Sequence, residues 1–313
     1  MKTFASVALL CTVTAAAFGQ YDYGFTFSKA GSAGFQSLKI GIGAREVAMG
    51  EAATSTTNSA TSVFWNAGGL AFVEQNQVYF SHNNWINGSR HDAVVVAAPI
   101  GGYVVALSAV QFAIAEFEET TVQFPQGTGR MVDAGDLVFG LAVARRFTDR
   151  LTIGLQLQYL NEKLDNDSFG NILFDVGTIY YTGFHHLRLA FALQHFGPDK
   201  KILRQSFRTP LLFRVSAGDD LLLSEEHRLT AAVDLVHPTD NAEWVNFGGE
   251  YEFLKMFALR AGYRIGVDEG NLTLGAGITP PLVGGIGVSL DYAYAKFGAI
   301  LGTTHRITVG VSF

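Results

Sequence analysis

The sequence predicts an all-β fold, a transmembrane antiparallel up-and-down β-barrel of about fourteen strands with an N-terminal hatch or plug segment. Three observations lead to this prediction. Segments of about ten residues alternate apolar and polar side chains, which is the length and pattern of a tilted transmembrane strand. Short and long connections alternate between these segments. The chain also ends on an alternating aromatic-terminated segment, 306–313, as a barrel-closing strand does.

The first residues have the pattern of a cleaved secretory signal peptide. Lys2 supplies the positive charge, residues 4–16 form the apolar stretch, and a small-x-small site ends at Gly19. We therefore expect residues 1–19 to be removed during export. The single cysteine, Cys11, lies inside this stretch, so the exported chain is expected to lack disulfides and thiolate metal ligands. A lipoprotein anchor at Cys11 is disfavoured, because leucines precede it where small residues are usual.

The composition is that of an apolar chain without a basic surface. The formal net charge is −6, so phosphate binding is disfavoured and nucleic acid is not an expected partner. Charged residues make up 16% of the chain, against roughly 25% in average soluble domains. Residues 93–115 are uncharged and long enough to span a bilayer as a helix. Pro99 to Gly102 divides them, however, and favours two strands and a turn.

The predicted strands follow one another from residue 75 to the end of the chain. Every other connection is tight, and those between are longer and polar, notably 113–134, 162–169 and 197–209. Because outer-membrane barrels have short periplasmic turns and long outer loops, both barrel ends are expected on the periplasmic side. The connection 220–226 is longer than this rule predicts. The strands are predicted near 75–84, 90–98, 102–112, 135–146, 150–161, 170–182, 186–196, 210–219, 227–236, 244–253, 256–266, 270–278, 285–295 and 304–313.

Residues 31–73 do not alternate. They are small, polar and rich in glycine, and no charged residue occurs from Ala52 to Val73. We predict an N-terminal segment, 20–74, that plugs a barrel formed by residues 75–313, because a barrel of this size is otherwise open. A periplasmic arm is the alternative.

Two neighbouring strands place opposite charges on the face predicted to line the lumen. Arg260 and Arg264 share one face of their strand, and Glu250 and Glu252 share the corresponding face of the strand before it. Charges are costly on a lipid face, whereas opposite charges in the lumen neutralise each other. We predict structural charge pairing inside the barrel.

The region 38–50 and the element 64–70, Phe-Trp-Asn-Ala-Gly-Gly-Leu, resemble N-terminal elements of the PorV/PorQ family of outer-membrane proteins. Further similar motifs follow in order at 80–85, 144–149, 196–199, 237–243, 259–263, 272–277 and 291–294. The resemblance implies a FadL-like fourteen-stranded barrel with an N-terminal hatch. Ala67 and Gly68 depart from the family's Pro and Ala. The implied hatch motif comprises Gly41, Gly43, Arg45, Met49, Gly50, Trp65, Asn66, Gly69 and Leu70.

The same resemblance implies a role in type IX secretion, in which the barrel binds the C-terminal domains of secreted cargo and escorts them from the translocon to attachment proteins. A FadL-like transporter of hydrophobic small molecules is the alternative, and a purely structural barrel is a third possibility. Outer-membrane lipid and lipopolysaccharide are the other expected partners. Barrel-assembly machinery is expected to recognise the terminal aromatic, Phe313.

One connection on the predicted outer side carries a basic patch with an aromatic residue. The patch is a candidate contact for lipopolysaccharide or a partner protein, with a solvated loop as the alternative. It contains Lys200, Lys201, Arg204, Phe207 and Arg208.

Sequence motifs for catalysis are missing. The sequence holds no P-loop, no His-Glu-x-x-His pair and no Gly-x-Ser-x-Gly elbow. Asp165 and Asp167 begin a calcium-loop pattern that lacks its later ligands. We expect no enzyme activity, no catalytic residues, no metal and no cofactor.

Overall fold

The computed structural model describes residues 29–202, 205–282 and 284–313. Fourteen antiparallel strands form one closed barrel in which successive strands pair and the first strand pairs with the last. The predicted fold class is confirmed, and each predicted strand has its counterpart. The strands are β1 (Gln77–Asn84), β2 (Arg90–Ile100), β3 (Tyr103–Ala113), β4 (Ala134–Arg146), β5 (Leu151–Leu164), β6 (Asp167–Tyr181), β7 (Arg188–Phe196), β8 (Leu212–Leu223), β9 (His227–Pro238), β10 (Trp244–Phe253), β11 (Phe257–Ile265), β12 (Leu272–Ile278), β13 (Gly287–Lys296) and β14 (Thr303–Ser312).

Helices are short. Within the described residues, no helix is long and apolar enough to cross a membrane. Two short hairpins, Phe117–Glu118 with Met131–Val132 and Lys200–Ile202 with Gln205–Phe207, lie outside the barrel ladder. The α-helices are α1 (Ala44–Ala48) and α2 (Gly298–Leu301), and the 3-10 helices are Gln36–Lys39, Ala60–Phe64, Ala67–Phe72 and Ile86–Gly88.

The two faces of the barrel wall differ in polarity. In β14, Arg306 and Thr308 are buried on the inner face, whereas Ile307 and Val309 are exposed on the outer face. The same alternation repeats around the barrel, and Leu259 on β11 is 64% exposed. Because side chains alternate across a strand, a two-residue pattern in the sequence produces an apolar outer wall and a polar lumen. This is the arrangement of a barrel surrounded by lipid.

The last residue continues the pairing that closes the barrel. The backbone N–H of Phe313 donates to the carbonyl oxygen of Asn76 at 3.0 Å, and Asn76 returns a hydrogen bond to the Phe313 carbonyl at 3.1 Å. The register continues from Gln77 opposite Ser312. The main chain of Phe313 therefore takes part in closure, while its side chain is exposed.

The connection between β8 and β9 is shorter than expected from the sequence. Strand β8 continues through a register shift between Asp220 and Leu222, and the turn is limited to residues 224–226. The predicted long connection at 220–226 is wrong, because its first residues pair in the sheet. The turn that joins β8 and β9 then obeys the short-turn rule for this side of the barrel.

Residues 35–73, here called the inner segment, lie inside the ring of strands. Backbone or side-chain groups of the segment bond to wall residues on opposite sides of the barrel, including the backbone carbonyl of Thr178 on β6 and the side chains of Asp234 on β9 and Thr308 on β14. Most residues of the segment are buried. Its action as a hatch stays a prediction, and the predicted signal peptide lies outside the described residues.

Candidate functional site

An ion-pair cluster fixes the inner segment to the barrel wall. Arg45, on α1, donates from Nε to Glu250 Oε2 at 2.9 Å and from Nη2 to Glu250 Oε1 at 2.7 Å. Arg260 donates to the same carboxylate at 2.5 Å and to Asp291 Oδ1 at 2.6 Å. Burial alone lowers the pKa of Arg45, but the charge and hydrogen bonds of Glu250 raise it above its usual value. The guanidinium therefore stays charged.

The other predicted lumen charges have different partners. Glu252 lies 3.8 Å from Arg228 Nη1, which is a long contact at the end of β9. Arg264 lies 3.3 Å from Glu51 Oε1, and Glu51 belongs to the inner segment. The wall thus supplies the Glu250–Arg260 pair by itself, whereas Arg264 forms its salt bridge, among the described side chains, with Glu51 of the segment. The sequence places Arg45 in the hatch motif without indicating its pairing with Glu250, and it does not single out Glu51.

The backbone of the inner segment touches the wall where the wall has glycine. A Cβ atom on Gly262 would lie 1.9 Å from the nitrogen of Gly50, and one on Gly248 would lie 2.4 Å from the Met49 oxygen. The Gly50 N–H also donates to Thr273 Oγ1 at 3.0 Å. Main chain therefore packs directly on main chain at 49–50, which any side chain on the facing strand residues would prevent.

The remaining hatch-motif residues shape the inner segment itself. Trp65 Nε1 donates to the Ile42 carbonyl at 2.7 Å, with Gly41 packed against the ring. Asn66 accepts from the Gly68 N–H and so caps the 3-10 helix Ala67–Phe72, while its Nδ2 reaches the Thr178 carbonyl at 3.0 Å.

Three motif residues lie at close contacts within or beside the segment. Gly43 has a φ of 91° and faces the carboxylate of Glu46, whose pKa is raised by burial. Gly69 lies against Thr57. Leu70 is buried in an apolar cluster with β2 residues such as Val95. The motif residues therefore lie together along the inner segment and against the wall.

A cavity of about 50 Å³ lies between the inner segment and the β2–β8 side of the wall. Apolar groups such as Leu38, Val110 and Phe112 line part of it. Arg214 reaches it from β8, donating from Nε to Gln194 at 2.9 Å, with its guanidinium carbon 5.2 Å from the Trp65 ring centre. Its other polar lining residues include His91, Asp136, Gln156, Gln158 and His195.

A β-bulge places His195 in this cavity. The register of β6 and β7 shifts between Phe174 and Val176, and the His195 N–H donates to Asp175 Oδ1 at 2.7 Å. His195 has a φ of 63°, so Gln194 and His195 are buried in succession. Strict alternation would point His195 outward, and nothing in the sequence pattern revealed the bulge.

The basic outer connection folds back onto the inner segment. The Phe207 ring lies 5.2 Å from the Phe35 ring, and the Arg208 carbonyl accepts from the Gly34 N–H at 3.0 Å. Lys201 and Arg208 are exposed, Lys200 is half-buried, and Arg204 lies outside the described residues. Phe207 therefore contributes to the cover of the lumen. Among the described side chains, no group of three or more His, Asp or Glu is placed to hold a metal ion.

Comparisons with known proteins bear on the fold. No family model matches the chain, and no curated protein is similar to it. The Ralstonia pickettii toluene transporter TbuX is 11% identical with a TM-score of 0.59, covering 87% of this chain and 97% of TbuX. The CymD monoaromatic hydrocarbon channel is 12% identical with a TM-score of 0.60 and the same coverage. A Pseudomonas aeruginosa FadL homologue is 10% identical with a TM-score of 0.59, covering 86% and 97%. At such identities the similarity shows a FadL-like barrel fold, and membership of the PorV/PorQ family stays a prediction.

Proposed function

We propose that this protein is an outer-membrane channel for hydrophobic small molecules, in which the inner segment acts as a hatch. The observation that carries the proposal is the position of residues 35–73 inside a closed barrel, fastened to the wall at Arg45 and Glu250. Such a lumen excludes free diffusion of polar solutes. Toluene transporters and a monoaromatic hydrocarbon channel share the barrel fold, which supports the transport alternative over secretion.

The location in the proposal follows from the wall. Its outer face is apolar and its inner face polar, an arrangement that is stable only against lipid. Outer-membrane lipid and lipopolysaccharide are then the surroundings of the barrel, and assembly machinery acts on it during insertion. The similar structures are transporters and channels, which agrees with a role without catalysis.

Passage in this proposal requires movement of the inner segment. The hydrogen-bonded ladder closes completely, so the wall offers no gap for lateral exit among the described strands. The cavity of about 50 Å³ beside the segment is smaller than an aromatic hydrocarbon needs. Displacing the whole inner segment, of which residues 37–42 line this cavity, would enlarge the cavity toward the lumen.

Uptake of labelled toluene tests the proposal. Gram-negative host cells that lack their own hydrocarbon channels would express the full chain, with empty-vector cells as the control. We expect toluene uptake to rise above the control while uptake of a hydrophilic disaccharide does not. Equal toluene uptake with and without properly assembled protein contradicts the transport proposal.

Secretion escort is the second candidate function, because one outer hairpin has an apolar tip. Val122 is 96% exposed, and Phe124 beside it is exposed too. An exposed apolar loop is what binding of a cargo C-terminal domain would require. A crosslinked pull-down from outer membranes tests this candidate. Recovery of secreted cargo or type IX translocon proteins supports it, and recovery of neither opposes it.

A further inference from the structure

The cavity beside the inner segment contains buried polar atoms that lack partners. They are Asp136 Oδ1, Gln156 Oε1, His195 Nδ1 and Arg214 Nη1, and no group within the described residues hydrogen-bonds to them. All four side chains belong to residues that are 7% exposed or less. Buried polar groups are nearly always paired with protein or ordered solvent, so a cluster of four in one cavity indicates an occupant.

Arg214 defines one requirement for that occupant. Its Nε is taken by Gln194, and its guanidinium stacks near Trp65, but no carboxylate of the described residues forms a salt bridge with it. Glu51 and Asp234 act on the Arg214 charge from beyond salt-bridge distance, so the Nη1–H groups still lack an acceptor. Buried donors without an acceptor are costly, and the guanidinium fork matches a carboxylate. The atoms next to Arg214 are therefore suited to a ligand oxyanion.

Asp136 and Gln156 define a second requirement. The Ser37 hydroxyl donates to one oxygen of Asp136, which leaves the other oxygen unpaired, and Gln156 presents its amide oxygen to the same cavity. These acceptors need a hydrogen-bond donor. His195 Nδ1 adjoins as a donor or an acceptor. A simple carboxylate satisfies only the Arg214 side, whereas a group that carries a carboxylate and a hydroxyl satisfies both.

The size of the cavity limits what enters it. A water occupies roughly 10–15 Å³ in such a measure, so a cavity of about 50 Å³ has room for only a few heavy atoms. That matches a carboxylate with a hydroxyl on the adjacent carbon. Leu38, Val110 and Phe112 form the apolar part of the lining, where a ligand's apolar remainder would begin.

We propose that this cavity binds the polar end of an apolar 2-hydroxy acid, with the carboxylate on Arg214 and the hydroxyl on Asp136. The inference rests on the proposed function, since the ligand reaches the cavity through the hatch. It adds apolar hydroxy acids to the hydrophobic small molecules that the proposed channel would take up.

Four related aromatic ligands test the proposal by titration calorimetry of the full chain in a non-ionic detergent. Toluene carries neither polar group, and benzyl alcohol carries only the hydroxyl. Phenylacetate carries only the carboxylate, and mandelate carries both. We expect mandelate to bind at least tenfold more tightly than toluene, with phenylacetate between them. R214Q should remove the advantage of both acids, and D136A should remove the advantage of mandelate over phenylacetate.

Arg150→Gln is the matched control, because Arg150 has a 55% exposed side chain in a turn outside the cavity. Heat-modifiable gel migration verifies that each variant is folded, and R214M, which also removes the charge, serves if R214Q is not folded. Toluene binding as tightly as mandelate, or an unchanged ligand order in folded R214Q or R214M, overturns the inference and leaves a water-filled cavity. If toluene uptake by cells persists in that case, the transport proposal survives. If neither toluene uptake nor ligand binding is observed, the transport proposal and the binding-site proposal are both contradicted.

Discussion

The side chain of Arg45 donates hydrogen bonds to both carboxylate oxygens of Glu250, at 2.9 and 2.7 Å, and thereby attaches the inner segment to strand β10. Glu250 is only 1% exposed and also accepts from Arg260. The wall and the segment therefore share one buried carboxylate. Bidentate pairs of this kind fix geometry as well as charge. We therefore expect the position of the segment to depend on Glu250.

Replacing Glu250 by Gln should loosen the inner segment. Two guanidinium groups, Arg45 and Arg260, would then lie buried around a neutral amide. Breaking one partner of a buried pair costs about 3–5 kcal/mol. We expect faster proteolysis within residues 35–73 and measurable entry of a hydrophilic disaccharide into expressing cells.

Glu252→Gln is the matched control on the same strand, because Glu252 faces Arg228 only at 3.8 Å. This variant should keep the wild-type proteolysis rate and exclude the disaccharide. Equal behaviour of the Glu250 and Glu252 variants would show that the charge cluster does not hold the segment.

Gly262→Ala should weaken the contact between segment and wall. The added methyl group would lie 1.9 Å from the Gly50 nitrogen, so one of the two backbones must move. Overpacking of this kind costs about 1–3 kcal/mol. The temperature of the heat-modifiable gel shift should fall for this variant. In Gly249→Ala the methyl group meets only the Ala261 oxygen, at 4.0 Å, and the shift should stay near wild type. A Gly249 variant as unstable as the Gly262 variant contradicts this explanation.

Acid should release the outer hairpin 117–132 from its neighbouring turn. Arg130 donates to Asp165 at 2.8 Å and to Glu119 at 3.0 Å. Hydrogen bonds from Arg130 lower the pKa of both carboxyl groups below their ordinary values of 3.8 and 4.5. A lowered pKa stabilises the link above the ordinary value, and that contribution is lost as pH falls through the lowered one.

A spin label in the Val122→Cys variant measures this release. Its mobility should stay constant from pH 8 to about pH 5, and rise only below about pH 4, as the pH falls below the ordinary carboxyl values and through the lowered pKa values of Glu119 and Asp165. An added Arg130→Gln substitution should make the label mobile throughout this range. If the mobility of the label changes neither at low pH nor with the Arg130→Gln substitution, these ion pairs do not order the hairpin.

Phe313→Ala should lower the yield of assembled barrel several-fold, because we expect assembly machinery to recognise the terminal aromatic. The variant keeps the backbone hydrogen bonds to Asn76, so it isolates the role of the ring. Phe313→Tyr should assemble normally. Heat-modifiable protein in outer-membrane fractions gives the yield. Full assembly of the alanine variant would show that the assembly machinery does not recognise the aromatic ring of Phe313.

The barrel could be predicted from the sequence because a two-residue alternation assigns each strand side chain to lipid or lumen. The prediction was less accurate for the outer ends of the strands. Strands β5 and β6 extend to Leu164 and from Asp167, where a longer loop was predicted. Beyond the membrane a strand pairs through its backbone without needing an apolar face, so the alternation that marks strands is lost there.

The site was only partly predictable, because its contacts join distant parts of the chain. Arg45 belonged to the recognised motif and Glu250 to the predicted lumen face, yet 205 residues separate them. Because the inner segment has no periodic pattern, its sequence does not indicate which strand residues it contacts. Arg214 was not singled out at all, and His195 depends on a bulge that changes which face it occupies.

A reversible crosslink between the inner segment and β8 tests the central claim most directly. Ser55 Oγ and Ser216 Oγ lie 2.7 Å apart, so cysteines at both positions are placed to form a disulfide of about 2.05 Å. Cys11 lies in the predicted signal peptide, so these would be the only thiols of the exported chain. Cells that express the Ser55→Cys/Ser216→Cys variant would be assayed for labelled toluene uptake before and after reduction. We expect uptake at the empty-vector level when the disulfide is formed and at the wild-type level after reduction. Equal, wild-type uptake in both states would show that toluene passes without movement of this segment and would contradict the hatch.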